Sequence, residues 1–227
     1  MLQLCYITTT NIPKADDQVD QWRSVMFLYD SALKKVNTKI EILNNEFANR
    51  YDYNPIEHIK SRLKSAESIV MKLKKDGYEV TIENMMECLS DIAGIRIICS
   101  FTSDIYQIAG MIAAQGDVTV LHVKDYIKNP KPNGYKSYHM VVTVPVYLTD
   151  GPVETKVEIQ IRSVAMDFWA SLEHKIAYKF EGNAPENLLK ELKACADMVD
   201  ILDAKMFSLN EAITAFAREQ KERSEES

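Results

Sequence analysis

Two acidic residues occupy positions from which they could bind a metal ion together. Glu158 lies in the segment KVEIQIR, whose alternation predicts a strand that carries Glu158, Gln160 and Arg162 on its polar face. Asp91 stands at the entrance of a second predicted strand, in the segment DIAGIRI. Two carboxylates that meet across a sheet suffice for Mg²⁺ when phosphate oxygens and water complete the coordination. An ordinary solvent-exposed sheet face is the alternative, because half-buried strands alternate in the same way.

A group of cations and a serine precedes both acids in the chain. Arg62 and Lys64 end a predicted short strand with one basic face. Ser68 and Lys72 follow one turn apart, at the start of a helix that Ser65 can cap. The free N–H groups and the positive end of the macrodipole make such a helix start a site for anions. The pattern therefore indicates an anion site, or else a solvated basic face.

The lysine-rich segment KDYIKNPKPNGYKSYH, residues 124–139, predicts a loop of preset shape. Its two prolines restrict the backbone and Gly134 releases it, so the lysines project from defined positions. Tyr135 or Tyr138 could offer a flat surface to a base. Such a loop suits a nucleoside diphosphate, although a polar surface loop with a turn at Pro-Asn-Gly has the same composition.

Apolar periodicity predicts the elements that must position these residues. The predicted helices are Trp22–Phe47, Ser65–Gly77, one from about Ile82, Asp104–Ala114, Val164–Phe180 and Asn187–Arg218. The predicted strands are His58–Lys64, Ile95–Cys99, Val118–Val123, Met140–Tyr147 and Lys156–Arg162, the last two joined by a hairpin at residues 149–151. Strands that alternate with helices indicate an α/β fold, in which a mixed β-sheet of about five strands is flanked by helices, with long terminal helices.

The same pass along the chain predicts its organisation. Residues 1–20 are expected to form a flexible extension, 21–180 the main domain, 181–218 a helical oligomerisation region and 219–227 a charged, disordered tail. The long terminal helices exceed what one small sheet needs for cover, which favours self-association over folding back on their own domain.

Charge and cysteine content limit the class of protein. The formal net charge of −6 excludes a surface built throughout for nucleic-acid phosphates, so any anion site must be local. The four cysteines have no metal-binding spacing and are expected to be reduced, mostly buried thiols. No leader and no membrane-spanning apolar run is recognised, which predicts a cytoplasmic protein without a membrane partner.

Four motifs together resemble the synthetase domain of RelA/SpoT homologues. In chain order they are Arg62-x-Lys64-x3-Ser68-x3-Lys72, DIAGIRI, KDYIxNPKPNGYxSxH and VEIQIR. The resemblance covers about Pro55 to Phe180. The short length and the segment WASLEHKIAYKF after the last strand resemble the single-domain small alarmone synthetases, especially the RelQ branch.

This resemblance implies a fold and an activity. The fold would be nucleotidyltransferase-like, and the enzyme would be a GTP/GDP pyrophosphokinase with Mg²⁺ as cofactor. It would move the pyrophosphate of ATP to the 3′-hydroxyl of GDP or GTP, which makes the guanosine tetra- or pentaphosphate of the stringent response. Phosphoryl-type transfer depends mostly on positioning and charge neutralisation, which the residues above could supply.

The resemblance also implies a role for each site residue. Arg62 and Arg96 would sandwich the adenine of ATP, and Lys64, Ser68 and Lys72 would hold its phosphates. Asp91 and Glu158 would bind Mg²⁺, and Glu158 would take the proton from the attacking hydroxyl. The guanosine nucleotide would be bound by Lys124, Lys131, Asn133, Tyr135, His139 and Gln160, with Tyr135 stacked on guanine.

The sequence departs from the family pattern at two points. Family hydrolases use a His-Asp dipeptide, but the four histidines here precede Ile, Val, Met and Lys, so hydrolysis of the alarmone is not expected. Where RelQ proteins read E-F-V-T-G-R, this chain has EHIKSR, with His58 and Lys60 at positions that help bind a pentaphosphate (pppGpp) activator.

The sequence leaves three hypotheses about function open. The first is the pyrophosphokinase, expected by resemblance to be a homotetramer. The second is a catalytically silent module that binds guanosine nucleotides or single-stranded RNA through the basic loop and its tyrosines. The third keeps the chemistry but uses the 3′ end of tRNA as the acceptor. Intact Asp91 and Glu158 favour the enzyme, and the full NPKPNGY loop favours a free nucleotide.

Overall fold

The computed structural model describes residues 18–51, 53–179 and 185–225. Most of the predicted extension 1–20 and the predicted boundary at 180/181 lie outside the described residues. In chain order the described elements are α1 (Gln18–Arg50), β1 (Ile56–Leu63), α2 (Ala66–Lys75), α3 (Ile82–Cys88), β2 (Ala93–Cys99), α4 (Thr102–Ala113), β3 (Thr119–Asp125), β4 (Tyr138–Leu148), β5 (Gly151–Ser163), α5 (Val164–Lys179) and α6 (Glu186–Glu225).

The five strands form one mixed sheet in the order β1-β2-β5-β4-β3. β2 and β5 are parallel, and the other neighbouring pairs are antiparallel. A hairpin joins β4 to β5, with Gly151 at a φ of 121°, a value that glycine adopts without strain. The prediction of a mixed α/β sheet of about five strands is therefore confirmed.

One face of the sheet carries the hydrophobic core. Ile95, Ile97, Met140, Ile159 and Ile161 are almost fully buried on that face. They belong to one cluster with the apolar stripe of α1, which recurs at intervals of three and four residues, and with the apolar residues of α4. Burying each such side chain stabilises the fold by about 1.5–3 kcal/mol, which fixes the strand register and turns the alternate residues to the opposite face.

The opposite face is polar and is covered mainly at one end. There, α5 and α6 pack together around Trp169, Ala170 and Ala196, and Tyr135 and Val199 join this small cluster. Ser65 caps α2, as predicted, by accepting a hydrogen bond from the N–H of Ser68. That cap sets the start of α2 directly after β1.

The terminal helices differ from the prediction in length. α1 begins at Gln18, and α6 continues to Glu225, past the predicted end of the helix at Arg218. Residues 219–225 lack glycine and proline and are rich in Glu, Lys, Arg and Gln, which all favour helix.

α6 has two halves with different surroundings. Its first half, as far as Phe207, contacts α5 and the end of the sheet. Beyond that point its large apolar side chains, Leu209, Ile213 and Phe216, are about half exposed or more. In the described part of the chain, no helix is both long and apolar enough to cross a membrane.

Candidate active site

Strand register brings residues from all five strands into two rows on the polar face, which is here called the site face. Residues directly opposite in neighbouring strands point to the same side of a sheet. The first row is Lys60, Arg96, Gln160, His139 and Lys124, and the second is Arg62, Gly94, Glu158, Val141 and His122. Because both rows follow from register, the predicted residues on these strands share one surface.

A cleft of about 180 Å³ opens on the site face between β1, β2 and β5. Its lining includes Lys60, Arg62, Arg96, Glu158 and Gln160. Gly94 forms the floor between Arg62 and Glu158, where the lack of a side chain keeps the second row open. Sequence reasoning placed Lys60 on this face but did not count it among the site residues.

Arg62 and Arg96 are close enough to influence each other. Burial lowers the pKa of Arg96 first, and the like charges of Arg162 and Arg62 lower it further, while Asp167 raises it. Asp167 Oδ1 lies 3.4 Å from Arg96 Nη1 and 3.0 Å from Arg162 Nη1. The Asp167 carboxylate thus holds two guanidinium groups on one side, while Arg62 stays exposed.

Asp91 forms an ionic cluster with two of the predicted phosphate-binding lysines. Its carboxylate bonds to Lys64 Nζ, and its Oδ1 lies 2.9 Å from Lys72 Nζ. Burial raises the pKa of Asp91, but the hydrogen bonds and charges of Lys64 and Lys72 outweigh it, so the pKa lies below its ordinary value. Asp91 is therefore ionised at neutral pH, beside the cations that would meet phosphate.

The start of α2 stands next to this cluster. Ser65 Oγ accepts from the N–H of Ser68 at 3.3 Å and lies 3.1 Å from Ser68 Oγ. Lys72 is one turn further along the same side, so hydroxyls, helix N–H groups and an ammonium face the same region. Lys64 and Lys72 thus meet at Asp91, with Ser68 one turn before Lys72 on the same helix.

Glu158 is the other carboxylate of the site, and polar neighbours hold it. His139 Nδ1 lies 3.4 Å from its Oε1, and Gln160 Nε2 donates to its Oε2 at 3.0 Å. Burial raises the pKa of Glu158 and the charge of Asp91 raises it too, but His139 and Gln160 bring it below the ordinary value. The effect of Asp91 means that the two carboxylates lie within electrostatic reach of each other.

The loop between β3 and β4, residues 126–137, is compact rather than extended. Asp125 Oδ1 accepts from the N–H groups of Ile127 and Lys128, each at 3.0 Å. The N–H of Gly134 donates to Lys131 O at 2.8 Å, and Gly134 has a φ of 89°. The loop thus has a set conformation, as its prolines and glycine predicted.

Tyr135 is the loop residue that reaches the site face. Its hydroxyl lies 2.8 Å from His139 Nε2 and accepts from Arg162 Nη2 at 2.6 Å. Lys131 Nζ lies 4.7 Å from the centre of its ring. Tyr138 instead pairs with Ile161 and packs on the core side, so of the two tyrosines only Tyr135 fits a role in this site.

The other residues predicted to bind the guanosine nucleotide, Lys124, Lys131 and Asn133, differ in exposure and in what they contact. Lys124 is exposed near the sheet edge, and Lys131 lies over the rings of Tyr126 and Tyr135 instead of projecting freely. Asn133 Nδ2 donates to Glu173 Oε1 on α5 at 3.2 Å. The loop is therefore tied to α5, a contact that sequence reasoning did not predict.

Arg162 and Asp167 are the main site residues that sequence reasoning missed. Arg162 is buried and links Tyr135, Gln160 and Asp167. The alternation of β5 put Arg162 on the correct face, so a signal for it existed. Asp167 lies in the first turn of α5, where no pattern in the sequence distinguished it from an ordinary helix-start acid.

The carboxylates of Asp91 and Glu158 could together hold a divalent cation if a bound ligand and water supply the remaining coordination positions. Within the described ranges, no group of three or more His, Cys, Asp or Glu side chains could hold a metal ion. Asp91 and Glu158 supply carboxylate oxygens, the ligand type that Mg²⁺ prefers, but protein alone would not complete an octahedron.

The chain belongs to the RelA/SpoT family, since residues 61–183 match the family described as "Region found in RelA / SpoT proteins". It is 44% identical to the GTP pyrophosphokinase YwaC of Bacillus subtilis over 207 residues, which are 91% of this chain and 99% of that protein. The predicted family resemblance is thereby confirmed.

Solved structures agree with this membership. Small alarmone synthetase 2 from Bacillus subtilis is 46% identical with a TM-score of 0.76, and the match covers 84% of this chain and 98% of that one. Small alarmone synthetase 1 from the same organism, bound to its product pppGpp, is 34% identical with a TM-score of 0.79, covering 86% and 98%. Another structure of synthetase 1, bound to AMPCPP, is 30% identical with a TM-score of 0.72, covering 86% and 98%.

Proposed function

We propose that this protein is an ATP-dependent GTP/GDP pyrophosphokinase. It transfers the pyrophosphate of ATP to the 3′-hydroxyl of GDP or GTP, with AMP as the other product. The observation that carries the proposal is the pair of rows on the site face, which gathers cations and Glu158 from separate strands, with Tyr135 of loop 126–137 in contact with His139. YwaC, named a GTP pyrophosphokinase, and synthetase 1, bound to pppGpp, support the same activity.

The ATP base binds between Arg62 and Arg96 in this proposal. These residues are diagonal neighbours on β1 and β2, because Arg62 pairs with Gly94 and Arg96 pairs with Lys60. Diagonal neighbours stand about 7–8 Å apart, which leaves room for a flat ring between two planar cations. Arginine suits this role better than lysine because its guanidinium stacks on aromatic faces.

The ATP phosphates bind at the start of α2. Lys64, Ser68 and Lys72 offer two charges and a hydroxyl, and the helix start adds its own N–H groups. Both lysines pair with Asp91 in the structure, so when ATP binds, each lysine exchanges one anionic partner, the carboxylate, for another, a phosphate. The site therefore keeps its cations ordered before the nucleotide arrives.

Asp91 and Glu158 are the proposed Mg²⁺ ligands, with phosphate oxygens and water in the other positions. When bound, the ion supplies charge neutralisation at the pyrophosphate that is transferred. The lowered pKa values of both carboxyl groups keep these ligands deprotonated at neutral pH. The protein's own side chains bind and orient the two nucleotides and accept the proton.

Glu158 also accepts the proton of the attacking 3′-hydroxyl. Its carboxylate is ionised and partly buried, and His139 and Gln160 fix its orientation. A positioned general base of this kind contributes about 10²–10⁴-fold to the rate. Arg162 supports the arrangement from behind, through Gln160 and the hydroxyl of Tyr135.

The guanosine nucleotide binds against loop 126–137 and the adjoining strand ends. Tyr135 stacks on guanine, Lys124 and Lys131 meet the phosphates, and Asn133, His139 and Gln160 line the pocket. In support, Tyr135 already has Lys131 beside its ring and is oriented by two hydrogen bonds through its hydroxyl. We confine the activity to synthesis, since none of the four histidines is followed by Asp.

We further propose a homotetramer assembled partly through α6. Leu202, Met206, Leu209, Ile213 and Phe216 are all about half exposed or more, and they recur at spacings of four and three. That spacing is the seam of paired helices. The proposed location is the cytoplasm, where both nucleotide substrates are made.

The candidate effectors are pppGpp and single-stranded RNA. His58 and Lys60, at the positions that differ from the RelQ pattern, are exposed on the edge strand β1.

A transfer assay with three acceptors tests the proposal. Purified protein receives ATP labelled in the β-phosphate, together with Mg²⁺ and GDP, GTP or tRNA. We expect label in guanosine tetra- or pentaphosphate and none in tRNA. Labelled tRNA would identify the alternative acceptor, and nucleotide binding without transfer would identify a silent binding module.

A further inference from the structure

Helix α6 lies directly against loop 126–137, although none of the proposed substrate contacts is on α6. At Gly134, an added Cβ would lie 2.5 Å from the Cβ of Ala196 and 3.0 Å from Cδ of Lys193. The first distance is shorter than any ordinary carbon contact. The loop backbone and the helix are therefore packed as closely as a glycine permits.

An ion pair also links the loop to α6, at Lys136, two residues after Gly134. Lys136 Nζ lies 2.5 Å from Asp200 Oδ2, and the two side chains are 22% and 33% exposed. Asp200 is one turn of α6 beyond Ala196, so both contacts lie on one side of the helix. Between them, Tyr135 packs against the small cluster of Trp169, Ala170 and Ala196, which Val199 also contacts.

The helix itself is anchored to the domain on either side of these contacts. Asp203 Oδ2 accepts from Ser163 Oγ at 2.8 Å and from Thr102 Oγ1 at 3.1 Å. Trp169 Nε1 donates to Leu192 O at 3.0 Å. α6 is thus held to β5, α4 and α5, and it can act as a fixed support for the loop.

We propose that α6 positions the acceptor loop, with Lys136 and Asp200 as positioning residues for the guanosine nucleotide. The inference rests on the proposed function, in which loop 126–137 binds that nucleotide. Neither residue touches the substrate; the ion pair holds Tyr135 and its neighbours in their binding positions before the nucleotide arrives. Ordering a loop in advance removes part of the entropic cost of binding, so its loss weakens affinity for the acceptor.

Kinetics of Asp200→Asn test this role. The variant keeps the shape of the side chain but removes the charge that Lys136 meets. We expect the KM for GDP to rise about 5-fold or more, with the KM for ATP within about 2-fold of wild type, since the ATP residues lie on other elements. The charge-swap variant Lys136→Asp/Asp200→Lys should recover part of the loss.

Glu186→Gln is the matched control. Glu186 also lies on α6 and pairs with Lys190, but both side chains are largely exposed and far along the helix from the loop contacts. This variant removes the same charge and one ion pair from α6, and it should leave both KM values unchanged. Equal changes in the two KM values of Asp200→Asn, or no change, would overturn the inference.

Hydrogen exchange supplies a readout that does not depend on activity. The N–H groups of Lys131 and Gly134 are hydrogen-bonded within the loop, to Tyr135 O and Lys131 O. In protein without nucleotide, these amides should exchange faster in Asp200→Asn than in wild type or Glu186→Gln. Unchanged exchange would refute the support by α6 even if transfer were active, whereas an inactive wild type with altered exchange would refute only the proposed function.

Discussion

At the scale of single residues, the site is defined by two carboxylates with opposite surroundings. Asp91 faces lysines that would bind phosphate, whereas Glu158 faces His139 and the amide of Gln160. Burial raises both pKa values, but hydrogen bonds and charges bring each below its ordinary value: those of Lys64 and Lys72 at Asp91, and those of His139 with a hydrogen bond from Gln160 at Glu158. Both are proposed Mg²⁺ ligands, and Glu158, which no lysine pairs with in the described contacts, is also the proposed general base.

Glu158→Gln should reduce the transfer rate by at least about 10²-fold, because the amide cannot accept the proton and binds cations poorly. The fold should persist, since the replacement has the same shape and the site face is not the core. Steady-state transfer and thermal unfolding check both points. Glu154→Gln, an exposed position of the same strand, is the control, and near-normal turnover of Glu158→Gln would refute its role.

At the scale of elements, the proposed catalytic residues depend on connections that no motif marks. Lys156 on β5 donates to Met86 O at 2.9 Å and to Glu87 O at 2.7 Å, which are carbonyls at the end of α3. The chain continues from there to Asp91 within four residues of Glu87. Lys156 therefore fixes the segment that carries Asp91, although it is not itself a ligand.

Lys156→Met should lower kcat about 10-fold and raise the Mg²⁺ concentration needed for half-maximal rate, because Asp91 loses its fixed position. Losing the donor to two carbonyls should cost about 1–3 kcal/mol and lower the Tm by several degrees. A Mg²⁺ titration of the rate is the measurement. Lys34→Met, which changes an exposed lysine on α1, is the control. If Lys156→Met lowers the Tm but needs the same Mg²⁺ concentration as Lys34→Met, then the role of Lys156 is only structural.

Asp117 links α1 to the connection before β3, by ion pairs with Lys35 and Lys39 at 3.0 and 2.6 Å. These lysines lower its pKa to about 2. A carboxyl whose pKa is lowered by folding stabilises the protein above its unfolded pKa of about 3.9, and the contribution is lost as the pH falls toward 2. Solvent screening keeps the effect small, since the side chain is partly exposed.

Asp117→Asn should therefore lower the Tm by about 1–3 °C at pH 7. The difference from wild type should narrow as the pH is lowered from about 5 toward 3. Scanning calorimetry over this range measures it. Asp30→Asn, which removes an ordinary pair with Lys34 within α1, should show less pH dependence, and a constant difference for Asp117→Asn would contradict the assignment.

Sequence reasoning succeeded for elements whose pattern is local. The alternation of β5 gave the face of Glu158, and the cap at Ser65 gave the start of α2. It failed where distant segments meet: Asp167 between two arginines, Lys156 on the end of α3, and α6 on the loop. Those contacts depend on packing of whole elements, which local periodicity does not encode.

At the scale of the whole molecule, α6 serves two regions at once. Residues 193–200 of α6 contact loop 126–137, and residues 202–216 carry an apolar seam that the described chain leaves exposed. An apolar surface of that kind is normally covered by a partner. Assembly would thus be built on the same helix that holds the loop.

Ile213→Glu should dissociate the assembly, because it puts a charge within the seam, where Ile213 is 67% exposed in the single chain. Light scattering should give four times the chain mass for wild type and a lower mass for the variant. Ser208→Glu, an exposed position off the seam on the same helix, should keep the wild-type mass. A monodisperse monomer in wild type at micromolar concentration would refute the assembly.

The fate of ATP tests most directly whether the site face transfers a pyrophosphate group. Transfer of two phosphates as a unit leaves AMP, whereas ordinary phosphoryl transfer or hydrolysis of the terminal phosphate leaves ADP. The measurement is the amount of AMP, ADP and guanosine product formed from ATP and GDP with Mg²⁺, followed by chromatography. We expect one AMP for each guanosine tetraphosphate, with both lost in Glu158→Gln; ADP as the main product, or AMP without a guanosine product, would contradict pyrophosphate transfer.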